Sequence, residues 1–327
     1  MAARHSRIGE LSKAALFACA CVIAANAAAQ SWPMKPTRII VPFQPGGGSD
    51  TQARLLGKKF TESLGQSFVV DNRGGAGGMI GAEIVAKAPP DGYTILFSTA
   101  SLAVNATLYK KAGFDPLRDL APVSWFSSAP LILVVHPSVP ARTVKELVAL
   151  ARAQKGRLNA GSNGTGTTSH LAIEMLKQRA GIEVAHIPYR GGGPAAIAIM
   201  AGEVDLRFSG ALAVLPHIKA GRVRPLAVAS ERKSAVLPEL PTLAATYPGF
   251  DADNWYAMFV TAGTPKDIVT KLYSEISKVL GSPEMRDAIT KDGAEPVGST
   301  PDQLGAYFRR EVDKYASVIK AANVQPE

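Results

Sequence analysis

Pro42-Phe-Gln-Pro-Gly-Gly-Gly-Ser-Asp-Thr-Gln-Ala-Arg54 places three consecutive glycines between a strand signal and a helix signal. Before it, Thr37-Arg-Ile-Ile-Val41 is a short β-branched apolar run, the pattern of a buried strand. After it, Leu55, Leu56 and Phe60 fall on one helical face, with Ser49 or Asp50 as the expected N-cap. A strand that turns through glycine into a helix leaves backbone N–H groups open at the positive end of the helix dipole, where an anion is stabilised. One such turn could serve only as a tight connection. A second, Ala160-Gly-Ser-Asn-Gly-Thr-Gly-Thr-Thr-Ser-His170, points instead to two lobes that present helix N-termini to a shared cleft.

Residues 1–29 read as an export signal rather than as part of the fold. Arg4, Arg7 and Lys13 form its basic segment, Ala14 to Ala25 its apolar segment, and Ala27-Ala28-Ala29 the cleavage site before Gln30. Arg4 and Arg7 are not adjacent, so the general secretory route and a periplasmic destination are expected. Both cysteines, Cys19 and Cys21, lie in this segment, and Phe17 fits a lipobox ending at Cys19 poorly. The mature chain then has no disulfide, no thiol nucleophile and no cysteine metal site. Formal net charge is +9, and loss of Arg4, Arg7, Lys13 and Glu10 lowers it by two. The basic residues are scattered without interleaved aromatics, which argues against nucleic acid and suits small anionic ligands.

Short β-branched runs alternate with helical periods through most of the chain, which predicts an α/β fold with largely parallel sheets. Strands are expected at 67–71, 93–97, 131–135, 157–160, 184–188, 204–208, 224–229 and 254–260. Glycine turns follow at Asn72–Gly81 and at Tyr189–Pro194, where Pro194 sits near the first turn of a small-residue helix. Residues 105–130 are less regular, with 114–119 expected as a loop. Thr143 with Glu146, and Thr300 with Gln303, read as capping boxes. Domain boundaries are expected near 130 and 253, giving residues 30–130 plus 254–327 as one lobe and 131–253 as the other.

Catalytic signatures are lacking. The glycine clusters do not space as a dinucleotide or Walker fingerprint, and neither a nucleophile elbow nor a zinc-protease motif is present. His136, His170, His186 and His217 have no metal-ligand spacing. His170, at a helix start, could donate to a ligand, whereas His186, inside an apolar strand, reads as structural. No cofactor, no metal and no enzyme activity are expected.

Trp32-Pro-Met-Lys-Pro36, the Pro42–Arg54 turn, Val70-Asp-Asn-Arg-x-Gly-Ala-Gly-Gly78, Ala88-Pro-Pro-Asp-Gly-Tyr93, Gly161-x-x-Gly-x-Gly166 with His170-Leu171, His186-x-Pro-Tyr-Arg-Gly191 and Ala262-Gly-Thr-Pro265 occur in order. Together they make the mature chain resemble, over nearly its whole length, the periplasmic substrate-binding proteins of tripartite tricarboxylate transporters, the Bug family. The resemblance implies a two-lobed Venus-flytrap fold, each lobe a mixed, mostly parallel sheet flanked by helices. It also implies capture of a small organic carboxylate for two integral membrane subunits, by a protein expected to be a monomer. The candidate ligand-binding residues of this chain are Phe43, Gly46, Gly47, Ser49, Asp50, Ser98, Ala100, Ser162, Gly164, Thr165, Gly166, Thr167, Thr168, His170 and Ser209, with Arg207 added on its own account. Two positions depart from the family pattern: an acidic residue is expected near Ala198, read as a helix surface, and an apolar one at Arg207. Alternation places Asp205 and Arg207 on one face of their strand, so Arg207 is a candidate for a ligand's distal carboxylate, or else a partner of Asp205 or Glu203. An exported ligand sensor without a transport role, or a secreted hydrolase, are the alternative classes.

Overall fold

In the computed structural model, which describes residues 32–109, 113–231, 233–234, 237–291 and 293–325, β1 (Thr37–Val41) enters the first glycine turn and α1 (Gly48–Leu64) leaves it. The expected export signal, its cleavage point and both cysteines lie outside the described residues. From Pro36 onward the chain builds a single unit. β2 (Phe68–Asn72), α2 (Met79–Ala86), β3 (Thr94–Thr99), α3 (Ser101–Leu108), the single-turn α4 (Pro116–Asp119) and β4 (Leu120–Ala129) follow α1. β5 (Leu131–Val135) opens a second series of α5 (Val144–Ala153), β6 (Asn159–Ser162), α6 (Thr168–Ala180), β7 (Ala185–Pro188), α7 (Gly192–Ala201), β8 (Leu206–Gly210), α8 (Ala211–Lys219) and β9 (Arg224–Val228). The chain then returns through β10 (Asn254–Thr261), α9 (Lys266–Gly281), α10 (Pro283–Lys291), β11 (Glu295–Pro296) and α11 (Pro301–Ala322).

Two sheets result. The first is six-stranded in the order β11-β4-β10-β3-β1-β2, and the second five-stranded in the order β7-β6-β8-β5-β9. Sheet membership changes between Ala129 and Leu131 and again at Asn254. Parallel pairing has a smaller share than expected. β1 pairs parallel with β2 and β3, and β6 with β7 and β8, but β10 runs antiparallel to β3 and β4, and β5 antiparallel to β8 and β9. The strands that carry the chain between sheets are those that reverse direction.

Each lobe closes its own core. Leu133, Leu176, Phe208 and Phe250 pack in the second, and Leu96, Trp255, Phe259 and Phe308 in the first. α11 joins them: Leu171 of α6 packs into the first-lobe cluster, and Val318 of α11 packs against the second. Glu311 of α11 is buried but satisfied, accepting the Trp255 indole N–H at 3.1 Å and lying 3.5 Å from the Lys314 ammonium. The Thr300–Gln303 capping box forms in full. Thr143 caps α5 as expected, while Glu146 reaches back to the N–H of Arg142 rather than to that of Thr143.

Three local expectations change. α1 is capped by Gly47, not by Ser49 or Asp50, and Asp50 instead accepts the Gly46 N–H from inside the helix at 3.1 Å. Residues 120–129, read as irregular, form a ten-residue strand whose Pro122 and three serines masked its period. Ala198 is buried against Ile199, Val204 and Val214 rather than on a helix surface.

Candidate functional site

Three helix N-termini meet at one pocket between the lobes. Gly47, Gly48 and Ser49 come from the start of α1, Thr168 from α6 and Gly192 from α7. Phe43, Thr99, Ser101, Asn163, Asn254 and Tyr256 complete the wall of a cavity of about 340 Å³, its mouth included. Among the described residues, the wall carries no charged side chain. The first N–H groups of a helix have no partner within it, and each N-terminus acts as about half a positive charge. Uncharged donors around converging positive dipole ends suit a small anion.

Each wall residue is held by its neighbours. Thr168 Oγ1 donates to Asn254 Oδ1 at 3.3 Å, a bond between the start of α6 and the returning strand β10. Asn254 in turn hydrogen-bonds the Tyr256 hydroxyl, whose pKa burial pushes up to about 12 although that bond opposes the shift. Tyr256 therefore stays a neutral phenol at physiological pH. Its ring stacks on Phe97 at 6.3 Å between centroids. The lobes touch through glycine: a Cβ placed on Gly47 would lie 3.7 Å from Gly192 Cα, and one on Gly193 only 2.7 Å from the Pro45 carbonyl oxygen.

Of the residues singled out in the sequence, Phe43, Gly47, Ser49 and Thr168 line the pocket. Gly164 and Thr165 face an outer groove with Gly77 and Tyr189, and Gly46 a second groove with Ile197 and His217. Ser98 and Ala100 are out of step by one residue. In the β3–β10 register Thr99 lies opposite Tyr256 and Ser98 opposite Ala257, so Thr99, with Ser101 beyond the strand end, reaches the cleft. Asp50 turns away from the pocket, towards Gly46 N–H and the Arg54 guanidinium at 2.9 Å; burial opposes its ionisation, but these bonds and one from Asn72 hold its carboxyl below the usual range.

The second glycine turn spends most of its side chains on itself. Ser162 Oγ meets His186 Nε2 at 2.6 Å and accepts the Gly164 N–H at 3.1 Å, in keeping with a structural His186. Thr167 caps α6 by accepting the His170 N–H and donates to the Gly164 carbonyl at 2.7 Å. Gly166, at φ +74°, packs against Asn105 and Leu108 of the other lobe. Ser209 is buried in β8 with its hydroxyl towards the Gly210 carbonyl at 3.5 Å. Arg207 stands behind the wall, donating to Asn163 Oδ1 at 2.9 Å. Gly48, Thr99, Ser101, Asn163, Gly192, Asn254 and Tyr256 line the pocket without having been singled out. Asn163 and Gly192 lay within glycine turns already noted, whereas Asn254 and Tyr256 had no local signal.

His170 accepts the Gly166 N–H on Nδ1 at 3.3 Å and stacks on His186 with ring centroids 3.9 Å apart. Burial, with the charges of His186 and Lys177, lowers its pKa to about 3. With Nδ1 accepting from the turn, the neutral ring helps to shape it. An unfolded histidine takes up a proton near pH 6.5, while this one resists doing so until about pH 3. Its contribution to stability is therefore complete above about pH 6.5 and declines as pH falls from there towards 3. The unfolding midpoint of His170→Gln should depend less steeply on pH between 6.5 and 4 than that of the parent. Parallel curves would show that His170 does not carry the effect.

A family model described as "Tripartite tricarboxylate transporter family receptor" matches residues 52–324. Protein BugT of Bordetella pertussis is 38% identical over 301 residues, 91% of this chain and 92% of that protein. Among solved structures, R. palustris Rpa4515 with adipate superposes with a TM-score of 0.88 at 35% identity, covering 91% of this chain and 100% of that one. MatC from Rhodopseudomonas palustris with bound malate gives 0.84 at 29% identity, covering 88% and 100%.

Proposed function

The chain belongs to the tripartite tricarboxylate transporter receptor family, and from that premise we propose that it captures a small organic carboxylate in the pocket between its lobes and delivers it to the membrane subunits of such a transporter. The observation that carries this reading is the pocket itself: three helix N-termini and a ring of hydroxyls and amides, with no charged side chain among the described residues of the wall. One carboxylate fits the donors of α1 and the hydroxyls of Ser49, Thr99 and Ser101. The first turns of α6 and α7 approach it from the second lobe. The adipate of the R. palustris relative and the malate of MatC support an acid of few carbons.

The protein works as a receptor rather than an enzyme, in the periplasm and as a monomer. Export uses residues 1–29, with cleavage after Ala29. The lobes, residues 30–130 with 254–327 and residues 131–253, open and close about the links at Pro130 and Asp253.

A thermal-shift screen over mono-, di- and tricarboxylates, followed by calorimetry, tests the reading. An acid at ~100 times its dissociation constant should stabilise the fold by about 2.7 kcal/mol, and scattering should show a more compact particle. If no acid raises the unfolding midpoint, the carboxylate reading fails.

A further inference from the structure

Among the described residues, Arg207 is a buried cation without an acid beside it. The residue is 1% exposed, and its side chain is among the largest of the fully buried ones. Nη2 donates to Asn163 Oδ1 at 2.9 Å, Nη1 to the Gly192 carbonyl at 3.5 Å, and Nε has no hydrogen-bond partner. The acids closest in sequence are engaged elsewhere. Asp205 Oδ2 accepts the Asn159 N–H at 2.7 Å, and Glu203 the Tyr189 hydroxyl at 3.3 Å. Burying a guanidinium without a carboxylate is costly, so its two acceptors have to be supplied reliably. Both acceptors belong to residues that line the pocket, Asn163 and Gly192.

A guanidinium only donates, whereas a side-chain amide has one accepting and one donating end and can turn over to exchange them. With Oδ1 of Asn163 held by Arg207, its NH₂ is the end left for the cavity. The backbone of Asn163 is held as well, its N–H donating to Ser169 Oγ at 2.9 Å. We propose that Arg207 is a positioning residue that locks the Asn163 amide with its NH₂ towards the pocket, so that this part of the wall donates and does not accept. This inference rests on the carboxylate reading of the pocket and deepens it. The ligand group that meets Asn163 is one whose atoms only accept, such as a carboxylate, and a carboxamide in the same place is rejected because its NH₂ would face another NH₂. The selection is made by Arg207, which touches the wall from behind.

Two measurements test it, one without ligand. Asn163→Asp gives Arg207 the acid it lacks. It should raise the unfolding midpoint by roughly 2–4 °C, and the gain should vanish in the Arg207→Met background. A gain of equal size with and without Arg207, or no gain in either, overturns the proposal. The second measurement compares calorimetric affinities for straight-chain α,ω-dicarboxylates, succinate through adipate, with those for the corresponding monoamides. The parent should prefer the diacid by about 10-fold or more, since a buried donor left facing a donor is strongly penalised. In Arg207→Met the amide is free to turn, and the preference should shrink towards parity. A preference that survives intact overturns the proposal. If the parent binds none of these acids, the carboxylate reading fails, while the ligand-free arm still decides whether Arg207 and Asn163 are coupled. Arg207→Gln replaces Arg207→Met in both arms if the methionine variant does not fold.

Discussion

Gly193→Ala should give a protein at least as stable as the parent that binds its carboxylate ~100-fold more weakly or worse. Gly193 is the second residue of α7 and its φ is not positive, so alanine can adopt the same backbone. In a helix, alanine is favoured over glycine by roughly 0.5–1 kcal/mol. The obstacle is wholly in the other lobe: the new Cβ would lie 2.7 Å from the Pro45 carbonyl oxygen and 3.5 Å from Gly46 C. Both are backbone atoms of the tight turn into α1, with no flexible side chain to move aside. The strain is relieved by keeping the lobes apart. A ligand then keeps the donors of one lobe and loses those of the other, and two charge-assisted hydrogen bonds at ~1.5–3 kcal/mol each are enough for the expected loss. Calorimetric unfolding and ligand titration on one preparation separate the two signs. Parent-like affinity would show that the lobes close without this glycine contact.

Gly166→Val should lose binding as well, but by a different route and with a cost in stability of about 2 kcal/mol or more. Gly166 has φ +74°, a left-handed conformation that costs a side-chain-bearing residue ~1–2 kcal/mol and a β-branched one more. Its Cβ would also overlap the amide oxygen of Asn105 and approach Leu108 Cδ2 to 2.9 Å, both on α3 of the first lobe. Asn105 is not free to yield, because its NH₂ is bonded to the Gly77 carbonyl at 2.8 Å. The loss of affinity thus comes from blocked closure, since Gly166 itself does not line the pocket. Asn105→Ala should recover part of the affinity of Gly166→Val but none of the stability lost to the left-handed backbone. Full recovery of both, or of neither, would show that strain and closure are not separable here.

The two variants make a pair. One leaves the backbone at ease and blocks only the approach of the lobes, and the other does both. Their comparison asks whether the glycine clusters serve the ligand directly or serve the meeting of the lobes that surrounds it. Gly47, Gly48 and Gly192 line the pocket, whereas Gly193 and Gly166 stand where the lobes meet.

Much of this protein is decided by interactions between residues close in the chain, and these are legible in the sequence. The strand–glycine–helix units at Thr37–Leu64 and Asn159–Ala180, the Thr300–Gln303 box and the returning strand at Asn254 follow from hydrophobic period, capping chemistry and the conformational freedom of glycine. These are rules of a few residues' range. β4 and α8 were missed because Pro122 and Pro216 interrupt the local pattern, while pairing with β10 and packing against β8 hold the elements in place. What only the tertiary structure decided is which side chains meet. Ser98 and Thr99 differ by one step along β3, and the register with β10 turns the second towards the cleft. Arg207 reads in its strand as a ligand contact or as a partner of Asp205 or Glu203, yet its hydrogen bond goes to Asn163, 44 residues away in the pocket wall. Asn254 and Tyr256 carry no motif and acquire their role only when β10 crosses back beneath the start of α6. A strand's alternation specifies two faces but not which one the cleft will use, and that choice belongs to the sheet order and to the contact between the lobes.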